Sequence, residues 1–359
     1  MFSLTLRNYW WPLIWLFLGN FVLSRLPRRR ERLRGRIVER WDLMPALVMV
    51  LPYIVWSGFR GGIGDTWLYR IGYLNASPDL SAIPAMLTDP NQEDVGYEVF
   101  VVLMRRLIGE NADLFFLIIA AVQGLCMAMT FRRYSTNYWT CLFLFVASTD
   151  YMSWMMNGMR QFIAAVVIFA GFGWLVRRRY LPLILLILGI STFHQSALLM
   201  IPIIFVVQGE AWNYKTILML LATVVVVAFV DRFTPILNDM LQNTNYDTAL
   251  GEEVLSQDDG TNALRVLVYS VPALLSLVGL RYVRAADDPV INVSVNCSIV
   301  TMALYLVAMV TSGIYIGRLP IYTTLQGYIA VPWLIDNIFE KKSAKLVSGL
   351  MILLFFGFY

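Results

Sequence analysis

The chain has 359 residues, 58% of them hydrophobic and only 14% charged, with a formal net charge of +4. Soluble domains carry about 25% charged residues, and the mean hydropathy here is +0.64, so a water-soluble globular enzyme is excluded. Aromatics make up 14% of the chain, which excludes intrinsic disorder as well.

Apolar runs follow one another along the whole chain, at about 9–24, 43–59, 112–131, 137–153, 158–176, 180–192, 195–208, 215–230, 264–281, 292–312, 318–337 and 346–359. Backbone groups in lipid must be satisfied within the segment, so these runs predict helices. A span takes ~20 apolar residues, and several runs fall short of that. No alternating ten-residue pattern indicates a β-barrel. The expectation is an all-α polytopic membrane protein of about 12 transmembrane helices, forming one domain over 1–359. The first run lacks a basic flank before it and a small-residue cleavage site after it, so it predicts a retained span.

Residues 180–208 carry no charge apart from His194, and they are too long for one helix. They predict two short helices meeting near Ser191–His194, and broken spans of this kind line cavities rather than lipid. Between the runs, 60–111 predicts an outer segment with an interfacial helix at 94–109, whose apolar face holds Val99, Val102, Leu103 and Leu107. Residues 231–263 are polar and acidic and predict an outer loop that orders on a substrate.

Orientation follows from Lys and Arg near span ends. Residues 25–40 hold Arg25, Arg28, Arg29, Arg30, Arg32, Arg34, Arg36 and Arg40. Placing that segment in the cytoplasm sets the N-terminus outside, and alternation then puts most of the other Lys and Arg on the same inner side.

Ionisable groups at membrane depth cost ~2.5–3.5 kcal/mol each on insertion scales, so they are rare and mark sites. Arg60, Asp65, Arg160, His194 and Arg318 all fall at the outer ends of predicted spans. Arg60 opens Arg60-Gly61-Gly62-Ile63-Gly64-Asp65-Thr66, where glycines expose N–H groups beside a guanidinium. Such a nest suits phosphate oxygens; a helix end with a snorkelling arginine is the other reading. Asn157, Arg160 and Gln161 share a helix face that must meet a cavity or a packing partner. Ser191, His194 and Gln195 repeat the pattern. His194 is either a packing residue, a general base or a donor to an oxyanion. Tyr315, Arg318 and Tyr322 form a stripe suited to sugar faces and phosphate, or to an interfacial aromatic belt. Several arginines around one cavity imply a polyanionic ligand such as a lipid pyrophosphate. Asp65 and Glu98 are carboxylates on the same side.

Cys126, Cys141 and Cys297 form no disulfide framework. A single histidine excludes a multi-histidine metal site, and no metal or cofactor is expected.

The order Arg60-Gly-Gly-x-Gly-Asp65-Thr66-x-x-Tyr69, Gly96-Tyr97-Glu98, Arg160-Gln161, His194-Gln195-Ser196-Ala197 and Gly317-Arg318 resembles the EpsG/Wzy family of bacterial exopolysaccharide polymerases over roughly 45–330. The resemblance implies a multi-pass protein of the bacterial cytoplasmic membrane, with an architecture related to the C-type glycosyltransferase fold. It implies a glycosyltransferase joining repeat units carried on undecaprenyl pyrophosphate at the outer face, with a flippase and a chain-length regulator as partners and no nucleic acid. In that reading Arg60, Arg160, Gln161 and Arg318 hold the pyrophosphate. His194, or else Asp65 or Glu98, takes the acceptor proton, and Tyr69, Tyr97, Tyr315 and Tyr322 contact sugar. A flippase for the same lipid and a ligase with another acceptor are the competing readings.

Overall fold

The computed structural model describes residues 2–33, 36–89, 94–148, 150–229, 261–311 and 316–358. These residues are mostly helical and divide into two compact units, Met1–Ile201 with Lys341–Tyr359, and Pro202–Glu340.

The first unit opens with α1 (Phe2–Leu23) and then departs from the all-α expectation. The arginine-rich segment forms an antiparallel hairpin, β1 (Arg28–Leu33) and β2 (Arg36–Trp41). Its register sets Arg30 opposite Glu39, with which it pairs at 3.1 Å, and Arg28 opposite Trp41, over whose ring it lies. The hairpin leads into α2 (Leu43–Gly58), which packs along the later helix α6 (Ala112–Tyr134). Between α2 and α6 lie α3 (Thr66–Asn75), α4 (Ile83–Thr88) and α5 (Val95–Ile108). The last of these falls where the sequence predicts a helix at 94–109. Tyr73, Tyr97, Val101, Phe115, Phe116, Ile119, Met159 and Ile163 make the apolar cluster under this segment.

After α6 come α7 (Tyr138–Ala147), α8 (Asp150–Met156), α9 (Met159–Ala170), α10 (Phe172–Val176) and α11 (Tyr180–Ser191). The runs 137–153 and 158–176 are thus each divided rather than continuous. Asn157-Gly158 separates α8 from α9, and Gly171 separates α9 from α10. Past Ser191 the chain turns, and a 3-10 turn at Gln195–Leu199 leads into α12 (Met200–Val206). The expected break near Ser191–His194 falls at this turn.

The second unit holds α13 (Tyr214–Ala228), α14 (Ala263–Val278), α15 (Leu280–Ala286), α16 (Pro289–Val310) and α17 (Ile321–Ile338). Its core gathers Trp212, Ala273, Val283, Ile291, Val295, Ile299, Trp333 and Leu334. Asn292 and Asn296, one turn apart on α16, accept from the Ala211 and Trp212 backbone N–H groups at 3.2 and 3.1 Å. The apolar helix therefore carries buried amides whose hydrogen bonds are met. Most of the outer loop expected at 231–263 lies outside the described residues. The last helix, α18 (Lys341–Phe358), belongs to the first unit.

Among the described residues, α6 and α16 are long and apolar enough to cross a membrane. The α14–α15 pair, bent by 70°, makes a third if it counts as one span. Shorter apolar helices accompany them, and α11, α13 and α18 expose Leu181, Leu185, Leu218, Leu221, Leu346 and Leu353. Such exposed leucine stripes are costly in water and at home against lipid chains. The chain is a helical, polytopic membrane protein.

Candidate functional site

The first unit brings four separate stretches together at the Ala112 end of α6: the loop after α2, the start of α5, the α8–α9 break and the turn after α11. Arg60 follows directly on α2 and is 5% exposed. Its Nη1 donates to the Met155 carbonyl at 2.5 Å and its Nη2 to Met159 Sδ at 2.9 Å. The guanidinium lies 4.6 Å from the centre of the Phe116 ring, a cation–π contact strengthened by desolvation. Burial pulls its pKa down to about 10, so it remains a cation at neutral pH. Residues set among its glycines close the turn that follows it. Ile63 N–H is bound to Gly61 O, Thr66 N–H and its hydroxyl to Ile63 O, and Asp65 N–H to Asn157 Oδ1 at 3.1 Å. These donors are consumed in closing the turn, and Arg60 points inward at the α8–α9 junction.

That junction is what the glycine loop grips. Asn157 breaks the helix and holds Asp65 N–H through its side chain, while its carbonyl accepts from the Tyr69 hydroxyl at 3.1 Å. Gly64, at φ +57°, sits so close that a Cβ there would lie 1.7 Å from Asn157 Oδ1. Gln123 on α6 donates to the Met159 carbonyl at 3.3 Å and fixes the other side of the break.

Arg160 stands at the start of α9 with its side chain 35% exposed. Its Nη1 pairs with Asp94 Oδ2 at 2.9 Å, and the guanidinium lies 5.5 Å from the Tyr97 ring centre. Asp94 adopts a left-handed backbone, φ 47° and ψ 40°, at the start of α5, and its carboxylate caps no helix N–H. A non-glycine residue in that region is strained, and strain of this kind collects at functional sites. Glu98 follows one turn later on the same face of α5. Tyr97 is buried, and burial pushes its phenol well above the usual range.

The start of α5 is fastened to the turn after α11. Gly96 N–H donates to the Thr192 carbonyl at 2.8 Å, and a Cβ on Gly96 would lie 2.0 Å from Thr192 Oγ1. Beyond Thr192, Gln161 Nε2 donates to Ser196 Oγ at 3.1 Å, and Ser196 Oγ lies 2.7 Å from His194 Nδ1. The Ser196 backbone N–H also points at Nδ1, at 3.4 Å. A backbone N–H only donates, so Nδ1 carries the lone pair and the neutral imidazole carries its proton on Nε2.

The structure therefore gathers Arg60, Asp65, Tyr69, Tyr97, Glu98, Arg160, Gln161 and His194 at one end of one unit. Arg318 and Tyr322 belong to the second unit, Arg318 exposed on a 3-10 turn and Tyr322 buried in α17. Tyr315 lies outside the described residues. Two contributors were missed by sequence reasoning. Asp94 was hidden in an acidic loop where nothing set it apart from its neighbours. Ser196 stood inside the His194 motif but was not recognised as the partner of the imidazole. Among the described residues no group of His, Cys, Asp and Glu is arranged to hold a metal ion.

The described residues thus place a partly exposed arginine paired with Asp94 next in sequence to Gln161, which reaches His194 through Ser196. The chain belongs to the EpsG family, whose model matches residues 44–359. No curated protein and no solved structure matches it. The family carries a polysaccharide-polymerase type of role.

Proposed function

We propose that the protein is a glycosyltransferase that polymerises oligosaccharide repeat units between undecaprenyl pyrophosphate carriers at the outer face of a bacterial cytoplasmic membrane. About 12 spans and a relationship to the C-type glycosyltransferase architecture belong to the same reading, as do the flippase and chain-length regulator as partners. The observation that carries it is the Arg160–Asp94 pair beside the Gln161–Ser196–His194 chain, in a member of the EpsG family.

In the reaction, the acceptor hydroxyl oxygen bonds to the anomeric carbon of the donor sugar as the bond to pyrophosphate breaks. The electron pair leaves with the diphosphate, and the hydroxyl proton passes to a carboxylate. Arg160, held at Nη1 by Asp94 and 35% exposed, meets the developing charge with its guanidinium. Arg60 supports that arrangement from behind by holding the α8–α9 break. His194, with its proton on Nε2, donates to a phosphate oxygen. The base is then Asp65, which is exposed, or Glu98. Arg318 is a further contact for the diphosphate, and Tyr69 for sugar.

The test uses the purified full chain with lipid-linked repeat units in detergent. The wild type is expected to yield a ladder of longer glycans, and Arg160→Ala to yield none at equal protein recovery. A wild type that forms no new glycosidic bond, while moving the same lipid across vesicle membranes, overturns the polymerase in favour of the flippase.

A further inference from the structure

The first unit carries a second arginine collection at the opposite end of α6. Arg132 lies about 24 Å along the helix from Phe116, the ring under Arg60, at ~1.5 Å rise per residue. Here the β1–β2 hairpin folds against the end of α6 and the start of α7, and a cavity of about 300 Å³ opens between them. Arg28, Arg40 and Arg132 line it, with Trp41, Asn137 and Glu39. The lining is polar although the helices around it are apolar.

Arg132 is aimed by the hairpin itself, donating from Nε to the Trp41 carbonyl at 2.7 Å. Arg28 lies over the Trp41 ring at 6.0 Å. Neither makes an ion pair among the described residues. The one carboxylate in the lining, Glu39, is engaged by Arg30 at 3.1 Å. The cavity is therefore cationic on balance, and like charges held together in a walled space repel unless an anion joins them. A topogenic cluster needs only to sit near a span end; it requires neither a wall nor convergence from separate elements.

We propose that this cavity binds a phosphate ester, independently of the polymerase site and at the other membrane face. Guanidinium pairs suit phosphate oxygens, the volume is that of a small-molecule site, and the Trp41 face and surrounding helices suit the glycerol and chains of an anionic lipid. A lipid headgroup and a soluble phosphate share this chemistry.

The experiment is native mass spectrometry of the detergent-purified full chain, titrated with phosphatidylglycerol and with phosphatidylcholine. Phosphatidylglycerol is expected to bind at least tenfold more tightly. Arg28→Gln with Arg132→Gln is expected to remove about tenfold of that preference. Arg25→Gln with Arg133→Gln, an equal charge change at the same end but outside the cavity, is expected to leave it within twofold. Arg28→Gln alone disturbs only an exposed ring contact, so it keeps the proposal testable if the Arg132 variant fails to fold; a threefold loss is expected. Displacement of the bound lipid by millimolar inorganic phosphate assigns the site to a soluble ester, and retention assigns it to the lipid. Equal loss in the cavity and control pairs, or equal binding of the two lipids, overturns the proposal.

Discussion

At the Ala112 end of α6, two arginines are each held by named partners. Arg60 is gripped by a carbonyl, a thioether and a ring, and Arg160 by Asp94 and Tyr97. At the Tyr134 end the arginines are more numerous and more exposed, and Arg28 and Arg132 border a cavity without a carboxylate partner among the described residues. Charge count alone points to the second end. What separates the two is orientation: burial and fixed acceptors give the first end a guanidinium in one defined place, which is what a transition state requires. At the second end the Trp41 carbonyl fixes Arg132 at one nitrogen while Arg28 lies exposed over the Trp41 ring, a looser arrangement that suits topology and lipid binding.

The largest expected effect breaks the first end directly. Arg160→Ala should lower repeat-unit transfer by roughly 10²–10³-fold, read as lost ladder on a gel with unchanged membrane insertion. Arg160→Lys should recover only part of it, since a single ammonium cannot both pair with Asp94 and present a fork. Asp94→Asn should fall between them. If both ends work by charge alone, Arg160→Lys will match the wild type and the contrast fails.

Arg60 sharpens the contrast from the stability side. Arg60→Met removes a buried cation and leaves the Met155 carbonyl without its donor, at a cost of about 2–4 kcal/mol. The measurement is the thermal unfolding midpoint of purified protein, which should drop well below that of Arg160→Ala. The neighbouring glycines give a graded version. Gly64→Ala forces a Cβ onto Asn157 at a left-handed φ, for about 1–3 kcal/mol, whereas nothing lies within 4 Å of a Cβ on Gly61, so Gly61→Ala should be close to neutral.

Much of this was legible in the sequence, for a physical reason. Apolar runs and the cost of charge in lipid are local properties, so the helices and the unusual residues Arg60, Asp65, Arg160, His194 and Arg318 stood out. The turn between α11 and α12 was legible too, because 29 uncharged residues bracket a single polar knot. What the chain did not reveal were properties of pairing. The inward aim of Arg60 depends on where Met155 and Phe116 arrive, and the clamp on Arg160 depends on an aspartate 66 positions earlier. The hairpin was hidden for another reason: a dense arginine run reads as a topology signal whatever its backbone does.

The smallest expected effect concerns His194 and separates a donor from a base. Ser196→Ala keeps the backbone N–H on Nδ1, and with it the tautomer, but removes the hydroxyl that links the imidazole to Gln161, so turnover should fall by about three- to tenfold with little change in KM. His194→Gln keeps an N–H donor near the Nε2 position, whereas His194→Ala does not. A donor role predicts that His194→Gln retains several times the transfer rate of His194→Ala. A base role predicts that the two are equally slow, since an amide accepts no proton at neutral pH. Equal rates would return the proton-accepting task to His194 and release Asp65 and Glu98 from it.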